Sequence, residues 1–282
     1  MTGPVIAGAP GVGAVRLGHW FAAQLQVPLI VAVVHPAPAA LGSGRVDAEW
    51  VADRHRAAER VLDEARKTLE GSGGEVEYRS VASSSAAHGL HDLAEETGAT
   101  MLVAGSGRPE PGELGSTAER LLAGSVCPVA VAPADLAEPP GTLGRIGVAY
   151  VDTPDGRAAL TEAARVAGRT GAGLRLYTVV ARGDATLPFL IGQDAERAFL
   201  DTARETYERS LTAAAAAVPG VEADWRIVGG DVVEALAGLD EVDVLYCGSR
   251  GYGPARRVLL GGVSNRLVRA ARRPVVVVPR SG

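Results

Sequence analysis

Residues 243–279, DVLYCGSRGYGPARRVLLGGVSNRLVRAARRPVVVVP, read as strand, glycine-rich turn, helix and strand. The apolar run Asp243 to Cys247 has the length and composition of a buried strand. The segment Gly248 to Gly262 has no apolar period, and Val263 to about Ala271 repeats at helical spacing before a last strand, Pro274 to Val278. The same reading recurs upstream. Met101-Leu-Val-Ala-Gly-Ser106 pairs with Val244-Leu-Tyr-Cys-Gly-Ser249, and Cys127-Pro-Val-Ala-Val-Ala-Pro133 pairs with Arg273-Pro-Val-Val-Val-Val-Pro279 at an offset of 146. Tyr78-Arg79 answers Trp225-Arg226, so the offset stays near 140–147 and the chain is a tandem duplication.

The remaining elements of the second half alternate in the same way. Arg145 to Tyr150 is a short buried strand, and Asp155 to Arg169 an amphipathic helix with Ala159, Leu160, Ala163 and Val166 on one face. Leu174 to Val180 is a strand, Gln193 to about Val218 a long helix, and Glu222 to Val228 a strand. Asp231 then caps a helix from Val232 to Leu239. Such alternation, with Val- and Leu-rich strands, predicts two tandem doubly wound α/β domains. Each is a five-stranded, mainly parallel sheet with helices on both faces. The expected boundaries are 1–134 and 145–282, joined by a Pro-rich linker at 135–144. In such sheets ligands bind beyond the carboxyl ends of the strands where strand order reverses, which directs attention to the loops after the first and fourth strands.

Composition bounds the function. With 282 residues, 47% hydrophobic and 22% charged, the chain can fill two cores. Its net charge of −5 argues against wholesale nucleic-acid binding, although eight arginines and no acid follow from Arg250 to the end. The longest strongly apolar strand-like run, Leu29 to Val34, is far short of the roughly 20 residues a bilayer requires. The start, Met1-Thr-Gly-Pro4, lacks the basic region of a signal peptide, so the expected compartment is the cytoplasm, without a membrane partner. Cys127 and Cys247, one per half, read as small buried hydrophobes.

In the loop after the fourth strand of the second half, Gly248, Gly251, Gly261 and Gly262 let backbone approach a ligand, and the helix that follows offers unpaired N–H groups to an anion. The same glycines also suit a turn that only leaves a strand and enters a helix. Arg250 and Arg256 are the two arginines placed to face phosphates, whereas Arg266, Arg269 and Arg273 read as a solvated face opposite Leu267, Val268 and Ala271.

Gly-x2-Gly-x9-Gly followed by a small residue, between the fourth strand and last helix of a small α/β domain, resembles the universal stress protein family, whose fold is adenine nucleotide alpha-hydrolase-like. The resemblance spans both repeats. Arg145-Ile-Gly-Val-Ala149, Pro154-Asp-Gly-Arg-Ala-Ala-Leu160, Cys247-Gly-Ser-Arg-Gly251 and the final Pro-Val-Val-Val-Val-Pro279 carry it. It implies that Gly248, Gly251, Gly261 and Ser264, with Ser249, Gly262 and Val263 beside them, hold the phosphates of ATP accompanied by Mg²⁺. Gly262 stands where the family has Ser or Thr, losing a hydroxyl but keeping an N–H. The family's acidic position falls on Val151, and Asp152 follows one residue later. The resemblance further implies an intrachain pseudo-dimer whose final strands pair; the switch reading adds an ordered loop that recruits or releases a protein partner, and association of two copies of the chain stays open.

The first half departs further from the pattern. Gly105 to Gly115 is three residues shorter than Gly248 to Gly261, Arg108 replaces the second glycine, and Pro10 occupies the acidic position. Gly115, Ser116 and Thr117 keep the small hydroxyl residues and form the weaker anion site. Gly8-Ala-Pro-Gly-Val-Gly13 lacks the Lys and Ser/Thr of a phosphate-binding P-loop. Gly11-Val-Gly13 lacks the third glycine of a dinucleotide fingerprint. His88 and His91 could share a helical face, but spacing supplies no third metal ligand and no nucleophile has a recognisable base. Two functions from different classes remain: a nucleotide-binding regulatory switch without turnover, and an interaction scaffold that binds no nucleotide. A nucleotidyl-transferring enzyme is the third reading, and it lacks a catalytic group.

Overall fold

A computed structural model describes residues 3–37, 46–107, 114–136, 138–139, 141–180, 193–249 and 262–279. They form two compact units that divide between Thr142 and Leu143. The first contains β1 (Val5–Ala9), α1 (Val12–Leu25), β2 (Leu29–Pro36), α2 (Val46–Thr68), β3 (Val76–Ser83), α3 (Ala86–Thr97), β4 (Met101–Gly105), α4 (Ser116–Gly124) and β5 (Val129–Ala132). The second contains β6 (Arg145–Ala149), α5 (Pro154–Thr170), β7 (Gly173–Val180), α6 (Gln193–Ala216), β8 (Ala223–Gly229), α7 (Val232–Ala237), β9 (Val244–Gly248), α8 (Gly262–Ala270) and β10 (Val275–Val278).

The strand order in the first unit is β3-β2-β1-β4-β5, and in the second β8-β7-β6-β9-β10. All pairs within the first unit are parallel, as are those within the second. Right-handed crossovers then place the first two helices of each unit on one face and the last two on the other. Consistently, α1 packs on α2, α3 on α4, and α7 on α8.

Side-chain character follows position in the sheet. Every residue of β9 and β10 is buried, which is why these segments read as continuous apolar runs. The edge strands β3 and β8 are partly exposed and carry Glu77, Arg79, Asp224 and Arg226. Both cysteines are buried, and neither forms a disulfide. Burial pushes the Cys247 thiol up to about 12, so it is not a thiolate at neutral pH.

Local chemistry sets the helix starts. Thr153 accepts from Gly156 N to cap α5, with Pro154 in its first turn. Asp231 accepts from Val233 and Glu234 N to cap α7, and these bonds hold its carboxyl below the ordinary range. The Pro-rich connector is tied down at its end: Gly141 O accepts from Trp20 Nε1 at 2.7 Å and Gln24 Nε2 at 3.2 Å. Leu143 is buried, and Asp243 Oδ2 accepts from Gly144 and Arg145 N. Two sequence expectations shift. Helix α7 ends at Ala237 rather than Leu239. Helix α8 ends at Ala270, so Arg273 lies beyond it and donates to Asp240 O rather than extending a solvated face with Arg266 and Arg269.

Candidate functional site

Strand order reverses between β6 and β9 in the second unit and between β1 and β4 in the first, so each crevice opens at the carboxyl ends of those strands. In the second unit, β9 ends at the buried Gly248, and Ser249 N donates to Val278 O at 3.0 Å. Helix α8 begins at Gly262. The two ends are joined by Ser264, 4% exposed, whose Oγ donates to Gly248 O at 2.8 Å. That hydroxyl is spent on the backbone, so Ser264 positions the start of α8 through its side chain. Gly262 and Val263 are exposed at the helix N-terminus, and a Cβ added to Gly262 would meet none of the described residues within 4 Å. Arg250, Gly251, Arg256 and Gly261 lie outside the described residues, as does the segment 181–192.

The acidic position is organised differently from its sequence reading. Asp152 Oδ1 accepts from Arg157 Nε at 2.6 Å and from Tyr150 Oη at 3.4 Å. The bond from Arg157 holds its carboxyl below the usual range. Asp155, read in the sequence only as the start of a helix, presses on Gly248 instead. A Cβ on Gly248 would lie 2.8 Å from both the Cβ and the carbonyl oxygen of Asp155. Asp155 Oδ1 is buried without a hydrogen-bond partner. Its one sequence signal was an acid in the first helical turn after β6, which is equally a helix-start signal.

The first unit closes the corresponding joint. Ser106 N donates to Ala132 O at 3.0 Å, matching Ser249 in the second unit, while Ser106 O accepts from Gly115 N at 2.6 Å. Gly107 has φ 82°, and a Cβ there would lie 3.0 Å from Gly115 Cα. The Gly115 N–H is therefore used inside the loop. Ser116 is exposed, Thr117 is half-buried, and Ala118 occupies the place of Ser264. Among the described residues Gly105 has no close neighbour, since an added Cβ would come no nearer than 3.8 Å to the atoms there. On α3, His88 lies 3.4 Å from Asp92 and His91 3.6 Å from Glu95. Among the described residues no group of three or more His, Cys, Asp or Glu could hold a metal ion. None of the described helices is long and apolar enough to cross a membrane.

The sequence model of the Universal stress protein family matches this chain twice, over residues 10–133 and 142–279. The chain belongs to that family. Universal stress proteins of Mycobacterium bovis and Mycobacterium tuberculosis are each 31% identical to it over 281 residues, covering 94% of this chain and 93% of theirs. A crystal structure of a universal stress protein from Archaeoglobus fulgidus DSM 4304 matches with a TM-score of 0.66 at 21% identity, covering 100% of this chain and 97% of that one. A putative universal stress protein from Pseudomonas aeruginosa UCBPP-PA14 matches with a TM-score of 0.61 at 15% identity, covering 98% and 92%. At these identities the structural likeness concerns the fold, and the two family matches make this a tandem universal stress protein.

Proposed function

We propose that this tandem universal stress protein binds ATP or another adenine nucleotide, with Mg²⁺, in its second unit and acts as a cytoplasmic regulatory switch rather than a turnover enzyme. The observation that carries this reading is the exposed N-terminus of α8, where none of the described residues crowds Gly262, beside the carboxyl end of β9 at the strand-order reversal. Unpaired N–H groups and the positive end of the helix dipole suit an anion there. The glycine spacing Gly248, Gly251 and Gly261 suits backbone wrapped around phosphates. Nucleotide would order the loop between β9 and α8, and the ordered surface would recruit or release a protein partner. The two units act as an intrachain pseudo-dimer, and a second copy of the chain is a further partner.

Isothermal titration of the full chain with ATP and Mg²⁺, repeated with Gly251→Asp, tests the reading. One site per chain, removed by the substitution, is expected. Two sites per chain would give the first unit a nucleotide at Ser116 and Thr117.

A second reading, a scaffold that binds no nucleotide, is favoured by Asp152 being engaged by Arg157 and by the Gly115 N–H being used within the first unit. It predicts no thermal stabilisation by ATP, whereas a ligand at 100 times its Kd adds about 2.7 kcal/mol.

A further inference from the structure

The edge strands of both units carry the same triplet of acid, aromatic residue and arginine: Glu77-Tyr78-Arg79 in β3 and Asp224-Trp225-Arg226 in β8. Strand β3 is outermost in the first unit, and among the described strands it pairs with β2 alone. Its bonds to that neighbour fix which way its backbone faces. Leu29 N donates to Glu75 O, and Ala37 N donates to Ser83 O. Inward bonding alternates along a parallel ladder, so Val76, Tyr78, Ser80 and Ala82 turn their N–H and C=O groups to the outer side. Those residues are half-buried or exposed. Helices α2 and α3 pack on β1 and β2 as well as on β3, so they lie inboard of this edge.

An uncovered strand edge is a template for another strand. The triplet also makes this edge complementary to itself. When two copies run antiparallel about a two-fold axis at Tyr78, Glu77 of each faces Arg79 of the other, and the two Tyr78 residues exchange backbone hydrogen bonds. We propose that two copies of this chain associate through β3, in an antiparallel pairing centred on Tyr78. The edge of β8 has the same pattern, but its charges are committed within the unit. Asp224 accepts from Arg175 through both carboxylate oxygens, and Glu241 accepts from Arg226. Glu77 instead accepts from Arg79 of its own strand at 2.6 Å, an exposed pair that can be exchanged for the same pair across the axis. Because the contact is isologous and uses the β3 edge of both copies, it closes at the dimer. The inference rests on the association of two copies proposed above, names its surface, and is independent of nucleotide.

The test is sedimentation velocity of the full chain over a concentration series without nucleotide. It compares the wild type, Glu77→Arg, Arg79→Glu and the double exchange, with circular dichroism melts to check that each is folded. Each single reversal sets like charges opposite one another and should weaken the wild-type dimer by at least about tenfold. The double exchange, and an equimolar mixture of the two single variants, should restore association to within about threefold, because opposite charges again face each other. In the mixture each chain still lacks its own Glu77–Arg79 bond, so only a contact between chains can rescue it. Single variants that associate like the wild type, or a mixture that stays monomeric, would overturn the proposal. So would a wild type that is monomeric up to about 1 mM, or assembly that continues past the dimer, as pairing of β3 with β8 would give. ATP titration of the same samples reads the nucleotide site separately: a monomeric wild type that binds ATP would overturn the β3 contact and leave the nucleotide reading intact.

Discussion

The two units share a strand order, and their described residues tie the fourth strand to the following helix through different atoms. In the first, Ser106 O takes the Gly115 N–H, and Gly107 and Gly115 pack backbone to backbone, so the loop is closed at its base. In the second, Ser264 reaches back to Gly248 O from inside α8, a bond that Ala118 cannot make in the first. A glycine at the end of the fourth strand therefore answers different demands. Asp155 leaves no room for a Cβ at Gly248, while none of the described residues crowds Gly105. A glycine inside a binding motif can be required by packing, and only its neighbours reveal which requirement holds.

The outer strands differ as well. Ile30 in β2 is buried beside Glu77 of β3, whereas its counterpart in β7 is Arg175, 8% exposed and bonded to both Asp224 and Glu241. Tyr177 Oη and Arg226 also bond to Glu241. With α7 spanning 6 residues against 12 in α3, the segment after α7 supplies Glu241 to β7 and β8. Burial and these acids raise the Tyr177 phenol, and the bond from Arg175 lowers the Asp224 carboxyl. An ion cluster of the second unit thus stands where the first buries the single apolar side chain of Ile30.

The sharpest way to break the comparison is a pair of alanines. Gly248→Ala should destabilise the second unit by about 2–3 kcal/mol, because the new Cβ meets backbone. Gly105→Ala should change stability by less than about 0.5 kcal/mol. Hydrogen exchange over β9 and β4 reads each unit separately, and equal effects would erase the distinction.

Next in size, Arg175→Met should cost about 1–2 kcal/mol, less than a fully buried pair because Asp224 is half exposed. Its pH signature sharpens the assignment. The Asp224 carboxyl is lowered from an ordinary 3.8 in the folded protein, so its contribution is present above about pH 4 and lost as pH falls through the lowered value. Exchange protection of β7 and β8 should fall below that pH in the wild type and change less in Arg175→Met.

Ser264→Ala should cost about 1 kcal/mol, the net worth of one buried hydrogen bond, since alanine already occupies the matching position in the first unit. The smallest effect concerns binding. Gly262→Ser meets none of the described residues and restores the family's hydroxyl, so ATP affinity should rise by about two- to tenfold, the value of one hydrogen bond. Titration calorimetry checks it, and an unchanged affinity would place the phosphates away from the start of α8.

Periodicity and repetition carried most of the fold. The run Val275–Val278 must be buried on both faces, Ala159, Leu160, Ala163 and Val166 must share a helical face, and the internal offset makes two copies of one unit. These properties depend on hydrophobicity along the chain, which neighbours in sequence suffice to express. The site was legible only as a spacing of glycines. Whether an acid near β6 is free or paired depends on what stands beside it in space. Arg157 is five residues from Asp152 and takes up that carboxylate; Gly248 is 93 residues from Asp155 and leaves that one unpartnered. Likewise, the hydroxyl of Ser264 matched a phosphate position in the sequence but turns inward to Gly248 O. The sequence by itself determined which segments are strands and helices and that the unit is written twice. The tertiary structure decided which polar groups are already spent, because hydrogen bonds and charge pairing are short-ranged and are set by packing across the sheet, not by order along the chain.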